Sequence, residues 1–242
     1  MKVLLTIMYD GSKYQGYATQ PHKKTIQDVI EEKLSLLYKG PIKTIAASRT
    51  DSGVHALDQK VMYEDVNNVM SVGEIEKALN SLLPDNIVVK EAIEVGEDFH
   101  PRYLVKQKTY KYIITTKRDP FCVAYKYYFP YHIDIDKVND AIPLLLGTHD
   151  FTSFCCANTD VEDKVRTITN LTCKQIDDDI VFSVTGEGFL YNMVRIIVGT
   201  LVDVGQGRIT KEELNNILQA RDRKLAGKTF PPNGLYLVSI EY

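Results

Sequence analysis

A chain of 242 residues with net charge −3, 44% hydrophobic and 25% charged residues has the make-up of a globular protein, long enough for one broad domain or two fused lobes. That balance excludes a disordered segment, a coiled coil and a protein that coats nucleic acid through bulk positive charge. It leaves an RNA enzyme open, because phosphate contacts depend on one local face and not on the sum of charges.

In chain order, Lys2 to Tyr9 reads as a strand, without the small-residue cleavage site of a secretory leader. Thr25 to Tyr38 reads as an amphipathic helix with Ile26, Val29, Ile30, Leu34 and Leu37 on one face, opened by a capping pair, Thr25 and Asp28. Strands at Lys43 to Ala47 and Lys60 to Glu64 flank a loop, and Ser71 to Glu74 opens a second helix with Ile75, Ala78, Leu79 and Leu82 inward. Ile87 to Val95 closes the round as a strand, giving the β-α-β-β-α-β order of ferredoxin-like folds.

A second round follows. Thr109 to Thr116 is expected as a strand, Asp136 to Leu146 as a helix, and Arg166 to Gln175 with Ile180 to Thr185 as a hairpin turning at Asp177-Asp178-Asp179. Leu190 to Val204 is a long apolar helix, Thr210 with Glu213 caps another through Ala220, and Leu235 to Glu241 is a terminal strand. The economical reading is α+β: two similar lobes, 1–104 and 105–242, sharing one mixed, mainly antiparallel sheet with helices on one face. The longest apolar run, Phe189 to Val204, contains Asn192, Arg195 and Asp203 and is too short to cross a bilayer, so a cytoplasmic protein is expected. The four cysteines have no CxxC spacing and read as free buried thiols, and the five histidines have no metal-ligand spacing, so no metal site is expected. His149 and Asp150 lie near Cys155, but neighbours in sequence rarely assemble a catalytic triad.

Three stretches carry chemistry. Ser48-Arg49-Thr50-Asp51-Ser52-Gly53-Val54-His55-Ala56 places an Arg and an Asp before a glycine between two apolar runs, which aims one carboxylate outward and sets Arg49 where it can meet that carboxylate or a shared anionic target. On turn chemistry alone the same residues also read as a surface turn in which Asp51 caps its own backbone. Arg195 sits in a helix apolar nearly all round, where a guanidinium needs a carboxylate or phosphate partner, or else snorkels to water from the helix start. In Lys108-Thr109-Tyr110-Lys111-Tyr112, the tyrosines share one strand face, which by pattern is either core or a ligand-facing surface.

The first stretch resembles the GRTDxGVHA signature of the TruA-type tRNA pseudouridine synthases. The resemblance extends through Tyr9-Asp10-Gly11-Ser12 with Tyr14 and Gly16, the K-x-Y-x-Y stretch at Lys108, Phe99 to Tyr103, His149 to Phe154, Gly188 to Arg195 and Pro232 to Leu237, in the family's order. It implies two ferredoxin-like lobes with a catalytic cleft between them. It implies isomerisation of uridine to pseudouridine in tRNA, at positions 38, 39 and 40 of the anticodon stem-loop, by a homodimer that needs no cofactor and no metal. By the same resemblance Asp51 is the nucleophile, Arg195 ion-pairs with it, Arg49 intrudes into the RNA or holds the flipped nucleotide's phosphate, and Tyr110 stacks on the target base.

Ser48 and Asp58 stand where the family has glycine, and Thr229-Phe230-Pro231-Pro232 replaces a T-A-P run, which leaves room for a paralogue acting on other tRNA uridines. Basic residues gather at Lys23 and Lys24, at Lys106, Lys108 and Lys111, and at Arg221, Arg223, Lys224 and Lys228, either as solvated surface or as a groove for a folded stem-loop. The rivals from other classes are a noncatalytic tRNA-binding or tRNA-folding protein and a small-metabolite enzyme of ferredoxin-like fold. The second lacks any phosphate loop or cofactor fingerprint.

Overall fold

A computed structural model describes residues 1–65, 70–157, 159 and 161–242. Its strands in chain order are β1 (Lys2–Tyr9), β2 (Thr44–Ala46), β3 (His55–Glu64), β4 (Ile87–Val95), β5 (Gln107–Thr115), β6 (Tyr127–Tyr128), β7 (Gly147–Asp150), β8 (Val165–Ile176), β9 (Asp179–Gly186) and β10 (Leu235–Glu241). The helices are α1 (Ile26–Tyr38), α2 (Val72–Leu82), α3 (Ile135–Ala141), α4 (Met193–Gly205) and α5 (Lys211–Ala220). The chain is α+β, as expected, and divides into two compact units: Met1–Lys106 with Tyr236–Tyr242, and Gln107–Leu235.

In the first unit β1 is central, antiparallel to β3 on one side and to β4 on the other, and β2 pairs antiparallel with the far end of β3. The chain returns from residue 236 to lay β10 parallel to the start of β3, with Tyr236 opposite His55 and Leu237 opposite Ala56. Val3, Leu5 and Ile7 of the sheet are buried, as are Ile26, Ile30 and Leu34 of α1 and Ile75 and Leu79 of α2, the periodicity the sequence carries. Both helices begin at the caps read from the sequence. Thr25 accepts from the Asp28 N–H, and Ser71 with Glu74 forms a reciprocal capping box.

The second unit runs β5-β9-β8-β7, antiparallel throughout, with β6 parallel to the end of β5. The hairpin β8–β9 turns at Asp177, whose φ of 53° is the left-handed conformation that Asp tolerates. Eleven of the thirteen residues of α4 are buried; only Arg195 and Asp203 are not. Helix α3 is shorter than the periodicity predicts. It passes at Ile142 into a 3-10 turn with Pro143 in its first positions, where proline's missing N–H leaves no α-helical hydrogen bond to make.

Candidate active site

Each unit positions one part of the predicted constellation. In the first, the loop from Ala47 to Val54 is fixed largely through main-chain atoms. Its entrance is clamped by Gln59, which accepts from the Ser48 N–H at 3.2 Å and donates to the Ser48 carbonyl at 2.7 Å. Its tip closes as a turn in which the Val54 N–H donates to the Asp51 carbonyl at 3.1 Å, with Gly53 at φ 80°. A second loop, Gly11 to Tyr17, lies against it. The Tyr17 N–H donates to the Thr50 carbonyl at 3.0 Å, and the Tyr14 carbonyl accepts from the Gly53 N–H at 3.3 Å and the Ser52 hydroxyl at 3.2 Å. The two backbones approach so closely that a Cβ on Gly11 would stand 1.9 Å from the Val54 carbonyl oxygen. A Cβ on Gly16, whose φ is 91°, would stand 2.9 Å from that of Thr50.

Side chains complete the frame. The buried Tyr9 hydroxyl lies 2.7 Å from Thr50 Oγ1, one residue before Asp51. His55 is buried, stacks on Tyr236 at 4.7 Å between ring centroids, and sets Nδ1 3.2 Å from both the Gly11 amide and an Asp10 carboxylate oxygen. Upstream, Glu31 of α1 holds the start of β2. Its Oε1 accepts from the Thr44 N–H at 2.9 Å, the Thr44 hydroxyl at 3.1 Å and Gln27 at 2.9 Å, while Oε2 meets Lys43 at 2.8 Å. Burial alone would push the Glu31 carboxyl up, but these donors outweigh it and hold it below the usual carboxylate range.

Asp51 is thus a half-buried side chain on a turn in which its own carbonyl, the Gly53 and Val54 amides and the preceding threonine are engaged. Arg49 is exposed and, among the described residues, makes neither a hydrogen bond nor an ion pair, so the Arg49–Asp51 pairing that the spacing permits is not formed.

In the second unit Tyr110, Tyr112 and Ile114 share the buried face of β5. Tyr112 belongs to the core: its hydroxyl donates to the Pro231 carbonyl at 2.7 Å, and burial pushes its pKa far up while the Arg195 charge pulls the other way. Tyr110 stands two residues earlier on that face, edge-on to Phe189 at 5.2 Å. Arg195 is the third residue of α4 and half-buried. Its Nε donates to the Phe230 carbonyl at 2.6 Å, one terminal nitrogen donates to Asn192 Oδ1 at 2.6 Å, and its own carbonyl accepts from the Phe230 N–H at 3.2 Å. The guanidinium is held, not left to wander into water. Asn192 does this from the left-handed region, φ 61°, which starts the helix at Met193 and not at Leu190 as the apolar run suggests.

Sequence reading names Asp51, Arg49, Tyr110 and Arg195 but not their supports: Tyr9, Thr50, Asn192 and Phe230. Asn192 had a signal, a short polar side chain immediately ahead of a helical run. Phe230 had none, since it acts through backbone atoms 35 residues from Arg195. Among the described residues no group of three or more His, Cys, Asp or Glu is arranged to hold a metal ion, and no helix is long and apolar enough to cross a membrane.

A family model described as tRNA pseudouridine synthase matches residues 5–104 and 141–242. The chain is 47% identical over 246 residues to the tRNA pseudouridine synthase A of Bacillus pumilus (strain SAFR-032), covering 100% of this chain and 99% of that protein. It is 44% identical over 246 residues to the protein of the same name from Bacillus subtilis (strain 168), with the same coverage. A solved Cbf5-Nop10-Gar1 complex is similar at a TM-score of 0.36 and 13% identity, over 82% of this chain and 54% of that one, too slight a likeness to argue from.

Proposed function

The chain belongs to the tRNA pseudouridine synthase family and isomerises uridine to pseudouridine in tRNA, and from that premise we propose that Asp51 is its nucleophile and that uridines 38, 39 and 40 of the anticodon stem-loop are its targets. The observation that supports the assignment of Asp51 is the rigid frame around it: a carboxylate on a turn gripped from Tyr9, Tyr14 and Tyr17 is oriented in advance, which is what nucleophilic attack at one atom requires. A surface turn that merely caps itself needs no such frame.

In the proposed reaction the bond from C1′ of the ribose to N1 of the uracil breaks with Asp51 as the nucleophile. The ring turns in place, C5 bonds to C1′ as the Asp51 ester at that carbon breaks and frees the carboxylate, C5 loses its proton and N1 gains one. Neither oxidant nor cofactor is called for. Arg195 supplies the counter-charge that keeps Asp51 ionised, and Asn192 and Phe230 hold that guanidinium in one orientation. Tyr110 offers a ring to the extracted base, recovering part of the stacking lost on flipping, on the order of 1–3 kcal/mol. Arg49, exposed and without a carboxylate partner among the described residues, is suited to a nucleotide phosphate. Each unit is read as a ferredoxin-like lobe, and the protein as a cytoplasmic homodimer in which two copies give an acidic chain more surface with which to grip one tRNA.

The test is pseudouridine mapping at single-nucleotide resolution on unmodified tRNA transcripts incubated with the pure protein. Product at 38, 39 or 40, abolished by Asp51→Ala with tRNA affinity retained, is the expected result. Product only elsewhere would make this a paralogue with a shifted target, and turnover by the Asp51→Ala variant would remove the nucleophile assignment.

A further inference from the structure

We propose that Lys24, seated over the Tyr14 ring, forms with Lys13 and Lys23 a phosphate-binding subsite that grips the RNA backbone beside the Asp51 loop. The inference rests on the assignment of Asp51 above and extends it to residues outside the signature.

The geometry of the 11–28 segment carries it. The ammonium of Lys24 lies 5.4 Å from the centroid of the Tyr14 ring, a cation–π contact that orients the side chain while leaving it exposed. The lysine's backbone is fixed on both sides of Gln15: the Gln15 N–H donates to the Lys24 carbonyl at 3.0 Å, and the Lys24 N–H donates to Gln15 Oε1 at 2.9 Å. The Tyr14 ring is itself anchored, its hydroxyl donating to Asn86 Oδ1 at 2.9 Å. The Tyr14 carbonyl is the same oxygen that takes the Ser52 hydroxyl and the Gly53 N–H. One residue therefore carries the cation on its ring and holds the Asp51 turn with its carbonyl.

The charges of the segment are sorted by direction. Its one carboxylate, Asp28, and the neighbouring Asp10 are engaged within it or with the signature loop. Asp28 accepts from the Thr19 and Thr25 hydroxyls, each at 2.5 Å, and Asp10 accepts from the Ser12 N–H at 2.9 Å and faces His55. Its lysines are exposed. Among the described residues neither Lys13 nor Lys24 meets a carboxylate, and Lys23 meets only the amide oxygen of Gln20, at 2.7 Å. Elsewhere lysines of this chain do find carboxylates, as Lys43, Lys60, Lys126 and Lys211 do with Glu31, Asp58, Asp179 and Asp140. Cations held in place with no internal anion, next to a loop that acts on a nucleotide, match the spaced negative charge of a phosphodiester chain.

The experiment measures the affinity of the intact protein for an unmodified tRNA transcript across a potassium chloride series, for the wild type, Lys24→Ala, Lys24→Arg and, as a charge-removal control on α2, Lys77→Ala. Losing one phosphate contact should weaken binding several-fold near 0.1 M salt and make the slope of log affinity against log salt shallower by about 0.7 to 0.9. Lys24→Arg should restore the slope, and Lys77→Ala should leave it at the wild-type value. An unchanged slope in Lys24→Ala, or an equal change in Lys77→Ala, overturns the subsite. Asp51→Ala run in parallel keeps the two ideas apart: turnover by that variant sinks the nucleophile assignment whatever the slopes do, whereas a dead Asp51→Ala with an unaltered Lys24→Ala slope sinks only the subsite.

Discussion

The Asp51 loop and the Arg195 helix start solve one problem, the fixing of a charged group, by opposite means. Asp51 is placed mainly by main-chain hydrogen bonds to a neighbouring loop and by two glycines that let the backbones touch. Arg195 is placed by donors on its own side chain, which reach an asparagine in the preceding turn and a carbonyl far along the chain. Main-chain framing tolerates changes of side chain but not of backbone clearance, so its sensitivity concentrates at glycine. Side-chain framing concentrates sensitivity at the partner that supplies the acceptor. The Asp51 loop and the Arg195 helix start should therefore fail differently under mutation.

The largest effect is expected at Gly11→Ala. Its new Cβ would fall 1.9 Å from the Val54 carbonyl oxygen, so one backbone must move, at a cost of about 3 kcal/mol or more, and urea unfolding should show it. Pseudouridine formation should fall by about a hundredfold or more, as expected when a reacting group shifts by an ångström. Asn192→Ala comes next, costing about 1–2 kcal/mol from the left-handed backbone and the lost acceptor. Asn192→Gly sharpens the contrast: it should recover most of that stability while turnover stays low, because glycine relieves the backbone but offers Arg195 nothing. Equal recovery of stability and turnover would mean that Asn192 serves only to start the helix.

Glu31→Gln tests the framing one step back, where α1 holds β2 ahead of the loop. Because the folded carboxyl is held below its unfolded value of about 4.3, its stabilisation is fully present above that value and is lost as pH falls through the folded one. Unfolding measured from pH 7 down to pH 3 should show the wild type losing this increment while Glu31→Gln, already lower by about 1–3 kcal/mol at neutral pH, changes less. The smallest effect is expected from Tyr9→Phe. It removes one hydrogen bond to Thr50 and should cost about 1 kcal/mol, since the main-chain contacts remain. A loss as large as that of Gly11→Ala would show that the side chain, not the backbone, sets the loop.

How much of this was legible follows the same division. β1 and β4 begin and end where the alternation says, and α1, α2 and α5 start at their capping residues, because those signals are local. β3 begins at His55, five residues before the apolar run that announced it. Its first part, His55 to Asp58, earns its strand geometry from pairing with β1 and β10, which no local pattern carries. The short strands β6 and β7 escaped for the same reason. In the site, the charged and aromatic groups could be read off as residue types in a signature. Their supports could not, since Tyr9 meets Thr50 across 41 residues and Arg195 meets Phe230 across 35.

The return of β10 to the first unit sets an order of events during synthesis. Asp51 and its clamping loop leave the ribosome early, yet the edge of β3 that begins at His55 stays open until Tyr236 and Leu237 arrive, and the Asp58 carboxylate that accepts the Ile240 N–H waits across 182 positions. A nascent chain released before that point would carry Arg49, Asp51, Tyr110 and Arg195 and still lack the Tyr236 ring on which His55 stacks. A chain that stops before Tyr236 therefore lacks part of the packing behind the Asp51 loop, however complete its signature residues are.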